Sequence, residues 1–291
     1  MRPAQARRGR GRGAAARTGG QQAPAAANHA ITAKPGVKRS TERALTRVSA
    51  MVSDDLTQRF IDATERIKDC LERRYETKYM GMGAALKDAR TRRDDVVLLH
   101  WEPLQTFGKL RNTIQHHSYR RGVPIAVPRE DTVLALESIA EAIARPSQIE
   151  EHMVVHPCVL SPDNTLAEAS RLIVDRDLSQ APVYSQDRYV GLFTTNGLAR
   201  WLSAAIARKE ADLLEKATTV AEVLTYAEPH EAPRFSPPTA TALRVCDLLS
   251  GDSAPPAVLV TTDGTAHGTL KGIVTRFDVP GIIKRVTVQY P

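Results

Sequence analysis

Cysteine is scarce in this chain, and what little there is excludes two classes of protein. The 291 residues hold three cysteines, Cys70, Cys158 and Cys246. They are odd in number, far apart and without metal-ligand spacing, so neither a disulfide framework nor a zinc site follows. Reduced thiols in the core of a cytosolic protein are expected instead. Long apolar runs are also missing: none approaches the roughly 18 residues of a membrane span, and no signal-peptide core follows the N-terminus. The expectation is a soluble, cytoplasmic protein that makes no contact with membranes. No Walker loop, dinucleotide fingerprint, nucleophile elbow or zinc pattern occurs.

Acidic residues are nearly absent from the first 50 positions, which carry eleven Lys and Arg against Glu42 alone. The net charge of +7 therefore splits into +10 there and −3 in the remainder. From Met1 to position 43 large apolar side chains are too few to offset the entropy of ordering, and a disordered tail is expected. Its Arg8-Gly-Arg-Gly-Arg-Gly13 run resembles the arginine-glycine segments that bind RNA by counterion release and guanidinium stacking.

The 42% hydrophobic content suffices for one or two ordinary cores. Over 44–146 the apolar spacing is helical, with Leu56, Phe60, Ala63, Ile67, Cys70 and Leu71 on one stripe. A short helix from 83 to about 92 follows Met80-Gly-Met-Gly83. A third begins at Asp94 and Asp95, carboxylates suited to a helix start, and buries Val97, Trp101, Leu104, Phe107 and Ile114. The Gly122, Pro124 and Pro128 stretch ends it. A fourth, Arg129 to Arg145, buries Val133, Leu136, Ile139, Ala140 and Ile143. Four helices with short connections predict an antiparallel bundle.

Beyond Pro146 the order becomes strand, helix, strand, strand, helix, and it occurs twice, over 149–216 and 217–291. The fold class expected is α+β, a helical bundle followed by paired modules. Gly272-Ile-Val-Thr-Arg-Phe-Asp278 reads as a buried strand ending in a polar turn. Gly191-Leu-Phe-Thr-Thr-Asn-Gly197, 81 positions earlier, repeats its glycine, apolar pair and threonine but ends in Gly197. A strand-end hydroxyl with a carboxylate three residues on, in the first turn of a helix, suits a ribose and an anionic phosphate.

These residues, with Ala181-Pro-Val-Tyr184, resemble the cystathionine β-synthase-type (CBS) module, whose pairs form the Bateman module. Gly272, Thr275 and Asp278 match the family's G-h-h-T/S-x-x-D motif in full. The resemblance implies a regulatory site between the modules for an adenosine-type ligand such as AMP, ADP, ATP or S-adenosylmethionine, with no cofactor required. It implies that the first module completes the site, at His156 to Cys158 and at Leu178, Ser179 and Gln180. Gly197 cannot contact a ribose, so the first module's own site is expected to be empty or altered, with one ligand per chain.

Leu110-Arg-Asn-Thr-Ile-Gln-His116 resembles the R-N-x-x-x-H signature of HEPN domains, helical bundles that are frequently dimeric and include metal-independent endoribonucleases. That resemblance implies a homodimer, with Arg111 on the phosphate, Asn112 beside it, and His116 or His117 as acid or base. Basic groups near a helix C-terminus also suit its macrodipole without catalysis. The first function expected is thus nucleotide-sensing regulation with the bundle as dimerisation or effector element. A ligand-gated ribonuclease is the alternative, and RNA binding through the tail a second one.

Overall fold

The computed structural model describes residues 35–116, 118–119, 123–209 and 218–287. The chain divides into two compact units, Met1–Ser49 and Ala50–Pro291. Of the first unit only the opening turns of helix α1 fall among the described residues; positions 1–34 of the expected tail, with its arginine-glycine run, lie outside them.

Helix α1, Pro35–Tyr75, starts inside the segment expected to be disordered to position 43. Proline at the first helical position costs nothing there, because the missing N–H would have no intrahelical acceptor. The helix α2, Met82–Thr91, expected from 83 to about 92, starts between the two glycines, with Gly81 as its cap and Gly83 in its first turn. The expected third helix is two, α3 at Asp95–Leu99 and α4 at Trp101–His116, parted by His100 at φ −106 and ψ 23. Pro103 explains the break: a continuous helix would need its amide on the Leu99 carbonyl, whereas in the first turn of a new helix that donor is dispensable. Asp94 caps α3, accepting from the Val97 amide at 3.0 Å. Between α4 and α5, Glu130–Ala144, two strands of two residues each pair antiparallel, β1, Ser118–Tyr119, with β2, Val123–Pro124.

The anticipated stripes meet in one core around Phe60, Ile67, Leu71, Leu104, Leu136, Ile139 and Ile143. Phe60 and Phe107 pack edge to face at 6.2 Å. Helices α1 and α5 are also tied by the bidentate Arg59–Glu137 pair, at 2.9 and 2.8 Å.

The paired modules supply β3, Val154–Val155; α6, Leu166–Arg176; β4, Gln180–Ser185; β5, Arg188–Thr194; and α7, Thr195–Ala207. Then come α8, Val220–Leu224; β6, Arg234–Ser236; α9, Ala242–Leu248; β7, Ala257–Thr261; β8, Leu270–Thr275; and α10, Val279–Val286. Strands β4 and β5 form an antiparallel hairpin, joined by a parallel bridge from Leu160 to Val183. The other sheet runs β3-β8-β7-β6, with β6 parallel to β7 and the remaining pairs antiparallel.

Packing crosses the boundary expected at 216/217. Ile149 and Met153 lie in the second module's core with Val258, Val274 and Ile282. Val220 and Val223 lie in the first module's core with Val183, Phe193 and Trp201. Each module is completed by the segment that precedes the other, because neither sheet covers its apolar side alone. The repeated glycines mark the two crossings. A Cβ on Gly272 would stand 2.4 Å from Met153 Sδ and 2.9 Å from the Val154 carbonyl, and one on Gly191 would stand 3.1 Å from both Leu224 methyls.

Candidate ligand-binding site

Strand β8 ends at Thr275 and α10 begins at Val279, so Asp278 stands at the helix start three residues past the strand end. Its Oδ2 accepts from the Thr275 amide at 2.7 Å and from Thr275 Oγ1 at 2.8 Å. The two side chains therefore converge, as expected, but on each other. Oδ1 of Asp278 keeps no partner among the described residues, and the Thr275 hydroxyl, having donated, can still accept.

The pairing of β3 beside β8, Val155 opposite Gly272, carries the chain on to His156, Pro157 and Cys158 at the same sheet end. His156 turns there with φ 50. Helix α6 closes nearby in a left-handed cap at Asp177, φ 51 and ψ 50, with the Leu178 amide returned to the Ile173 carbonyl at 3.0 Å. Aspartate tolerates this conformation better than most residues do. Leu178, Ser179 and Gln180 then lead into β4.

These pieces enclose one cavity of about 850 Å³, walled by Cys158, Leu178, Ser179, Thr275, Phe277 and Asp278, with His156 and Gln180 also on its surface. Side chains 120 positions apart in sequence thus meet at one place. Gly272 is the exception among the expected ligand residues: it is not on the wall, and its backbone makes room for Met153 and β3. Sequence reasoning also missed Phe277, which is 84% exposed and borders the cavity. The only signal for it was an aromatic side chain in an unassigned position of the motif. Arg276, its neighbour, is committed elsewhere, donating to the Pro255 carbonyl at 3.2 Å and to that of Ala254.

At the matching place in the first module the chain's own groups pair with one another. Thr194 Oγ1 accepts from the Gly197 amide at 2.9 Å and donates to Glu231 Oε1 at 3.1 Å. Glu231 is 5% exposed and paired with Arg200, whose Nε donates to the Tyr226 carbonyl at 2.9 Å. A carboxylate from before β6 has taken the role that Asp278 plays in the other module.

Of the helical motif, Arg111 and Asn112 meet each other, Arg111 Nη1 donating to Asn112 Oδ1 at 3.4 Å. Arg111 donates to Glu65 Oε1 of α1 at 2.9 Å, and Asn112 is exposed. Glu65, which also accepts from Lys68 at 2.7 Å, is held below the usual carboxylate range, first by that lysine and then by Arg111. His116 ends α4 but its side chain, like His117, lies outside the described residues. Among those residues no group of histidines, cysteines and carboxylates could hold a metal ion, and no helix is long and apolar enough to cross a membrane.

Residues 149–204 match the family model of the CBS domain. Among curated proteins no match is found. Solved structures similar to the chain include CBSX2 in complex with AMP, at 17% identity over 48% of this chain and 98% of that one, with a TM-score of 0.38. A hemolysin-like protein containing a CBS domain from Oenococcus oeni is 18% identical over 49% of this chain and 92% of its own, with a TM-score of 0.35. The CBS domain pair of protein MJ0100, in complex with 5′-methylthioadenosine and S-adenosyl-L-methionine, is 15% identical over 49% of this chain and all of its own, with a TM-score of 0.37.

Proposed function

We propose that the cavity between the modules binds an adenosine-type nucleotide and that the protein is a regulatory sensor of it. The observation that carries this reading is the meeting of Thr275, Phe277 and Asp278 from the second module with Cys158, Leu178 and Ser179 from the first around a single cavity. In it, Asp278 Oδ1 takes a ribose hydroxyl, Phe277 lies along the base, and the Thr275 hydroxyl with the Val279 amide at the start of α10 faces the phosphate, Pro280 having no N–H to add. In the first module's counterpart Glu231 is taken up by Arg200 and Thr194, so this reading assigns one ligand to each chain.

In this reading the helical region is the element acted upon, as a dimerisation or effector domain. It is supported by the hydrogen bond from Thr241 Oγ1, at the start of α9, to Asp95 of α3 at 2.7 Å. The ribonuclease reading has no comparable support among the described residues, which leave out the side chains of His116 and His117. Calorimetric titration of AMP, ADP, ATP and S-adenosylmethionine tests the proposal. Heat is expected for at least one ligand with the wild type and none with Asp278→Ala; no heat with any of the four would refute it.

A further inference from the structure

A second cavity, of about 580 Å³, lies within the helical region between α2 and α4. Its walls are apolar at Met80, Met82, Leu86, Trp101 and Leu104, and one face of the Trp101 ring is covered by the Arg90 guanidinium at 4.4 Å. Every charged residue on its surface is a cation: Lys87, Lys109 and Arg111. Neither lysine makes an ion pair among the described residues, and both are exposed. Arg111 gives one nitrogen to Glu65, but its Nε is buried without a hydrogen-bond partner.

The start of α2 adds donors on the same surface. Gly81 caps the helix without a side chain, and the amides of Ala84 and Ala85 turn back to its carbonyl at 3.1 and 3.2 Å. The amides of Met82 and Gly83 find no acceptor among the described residues, and a helix start attracts negative charge. A Cβ at either Gly81 or Gly83 would meet nothing within 4 Å. Packing within the chain therefore does not require glycine there; what the glycines do is leave the cavity mouth open.

We propose that this cavity binds a small amphipathic anion, an apolar body ending in a carboxylate or a phosphate, with the body against Trp101, Leu104 and Met82 and the charged end among Lys87, Lys109 and Arg111. A preformed apolar cleft with a few convergent polar groups is the usual form of such a site. The site is separate from the nucleotide cavity and uses the Arg111-Asn112 stretch for binding.

Calorimetry on the full chain tests it, with decanoate and decyl phosphate below their micellar range as probes and decanol and inorganic phosphate as controls. At least one amphipathic anion should bind, the tighter of the two identifying the head group, and each control should bind at least about tenfold more weakly, since a charge-assisted contact or the apolar body is lost. Lys87→Gln with Lys109→Gln should weaken binding at least about tenfold, while Lys271→Gln, on an exposed lysine of β8, should not. Gly83→Leu has open space for its side chain and a better helix former in place of glycine, so it should fold, retain nucleotide binding and lose the anion. The proposal is overturned if neither anion binds, if decanol or inorganic phosphate matches them, or if folded Gly83→Leu binds as the wild type does.

Discussion

Asp278 spends one carboxylate oxygen on its own turn, accepting twice from Thr275, and keeps the other. This division separates the structural role from the binding role. In Asp278→Asn the amide oxygen must stay on the Thr275 donors, because the NH₂ group cannot accept from them. Unfolding by urea should then be nearly unchanged, while nucleotide affinity should fall about tenfold through loss of the charged acceptor; equal losses in both would mean that the residue only caps. Phe277→Ala should likewise leave stability within about 0.5 kcal/mol, the ring being exposed, yet weaken nucleotide binding in the same titration. The cysteines offer a chemical check. Burial pushes the Cys246 thiol up to about 11, so it stays protonated at neutral pH, and Cys70 is buried as well. Cys158, half-buried on the cavity wall, is the thiol that iodoacetamide should modify in the native protein, and saturating nucleotide should slow that modification, as read by mass spectrometry of the three cysteine peptides.

Strands and helices owe their fit to the two repeated glycines, which are alike in sequence but unlike in surroundings. At Gly272 a side chain would meet backbone as well as Met153, whereas at Gly191 it would meet only the movable end of Leu224. Gly272→Ala should therefore cost about 1–3 kcal/mol in urea unfolding, and Gly191→Ala clearly less; the reverse order would contradict the close approach of Met153 and β3 to β8 at Gly272. The amphipathic stripes of α1, α4 and α5 were readable in the chain because each helix's burial is written in its own period. The break at His100 was readable too, in Pro103, but the stripe running through it masked the signal. The crossing of Ile149 and Val220 into opposite modules has no local signature, since it depends on which face is left uncovered after folding. At the site, Thr275 and Asp278 could be identified from spacing, and their first-module companions only through a resemblance. Glu231 could not, because a carboxylate 34 positions beyond Gly197 gives no hint of where it will return.

Within the unit from Ala50 to Pro291, one helix pair parts the Thr275–Asp278 cavity from the helical region. Helix α10, which Asp278 precedes, shares a core with α9 through Ile282, Val245 and Cys246. Helix α9 in turn bonds Asp95 through Thr241 and sets Leu243 against the helical core. A ligand that draws the turn before α10 toward the first module thus acts on an element that the helical region already grips. Regulation through α10 requires that a nucleotide lie in this cavity and nowhere else. Photolabelling of the full chain with an azido-adenine nucleotide, followed by peptide mapping, reads that location directly. Label confined to peptides containing residues 154–158, 176–182 and 275–278, and displaced by unlabelled nucleotide, is the predicted result. Displaceable label on residues 194–200 and 231, or only on the first 34 residues, would contradict it.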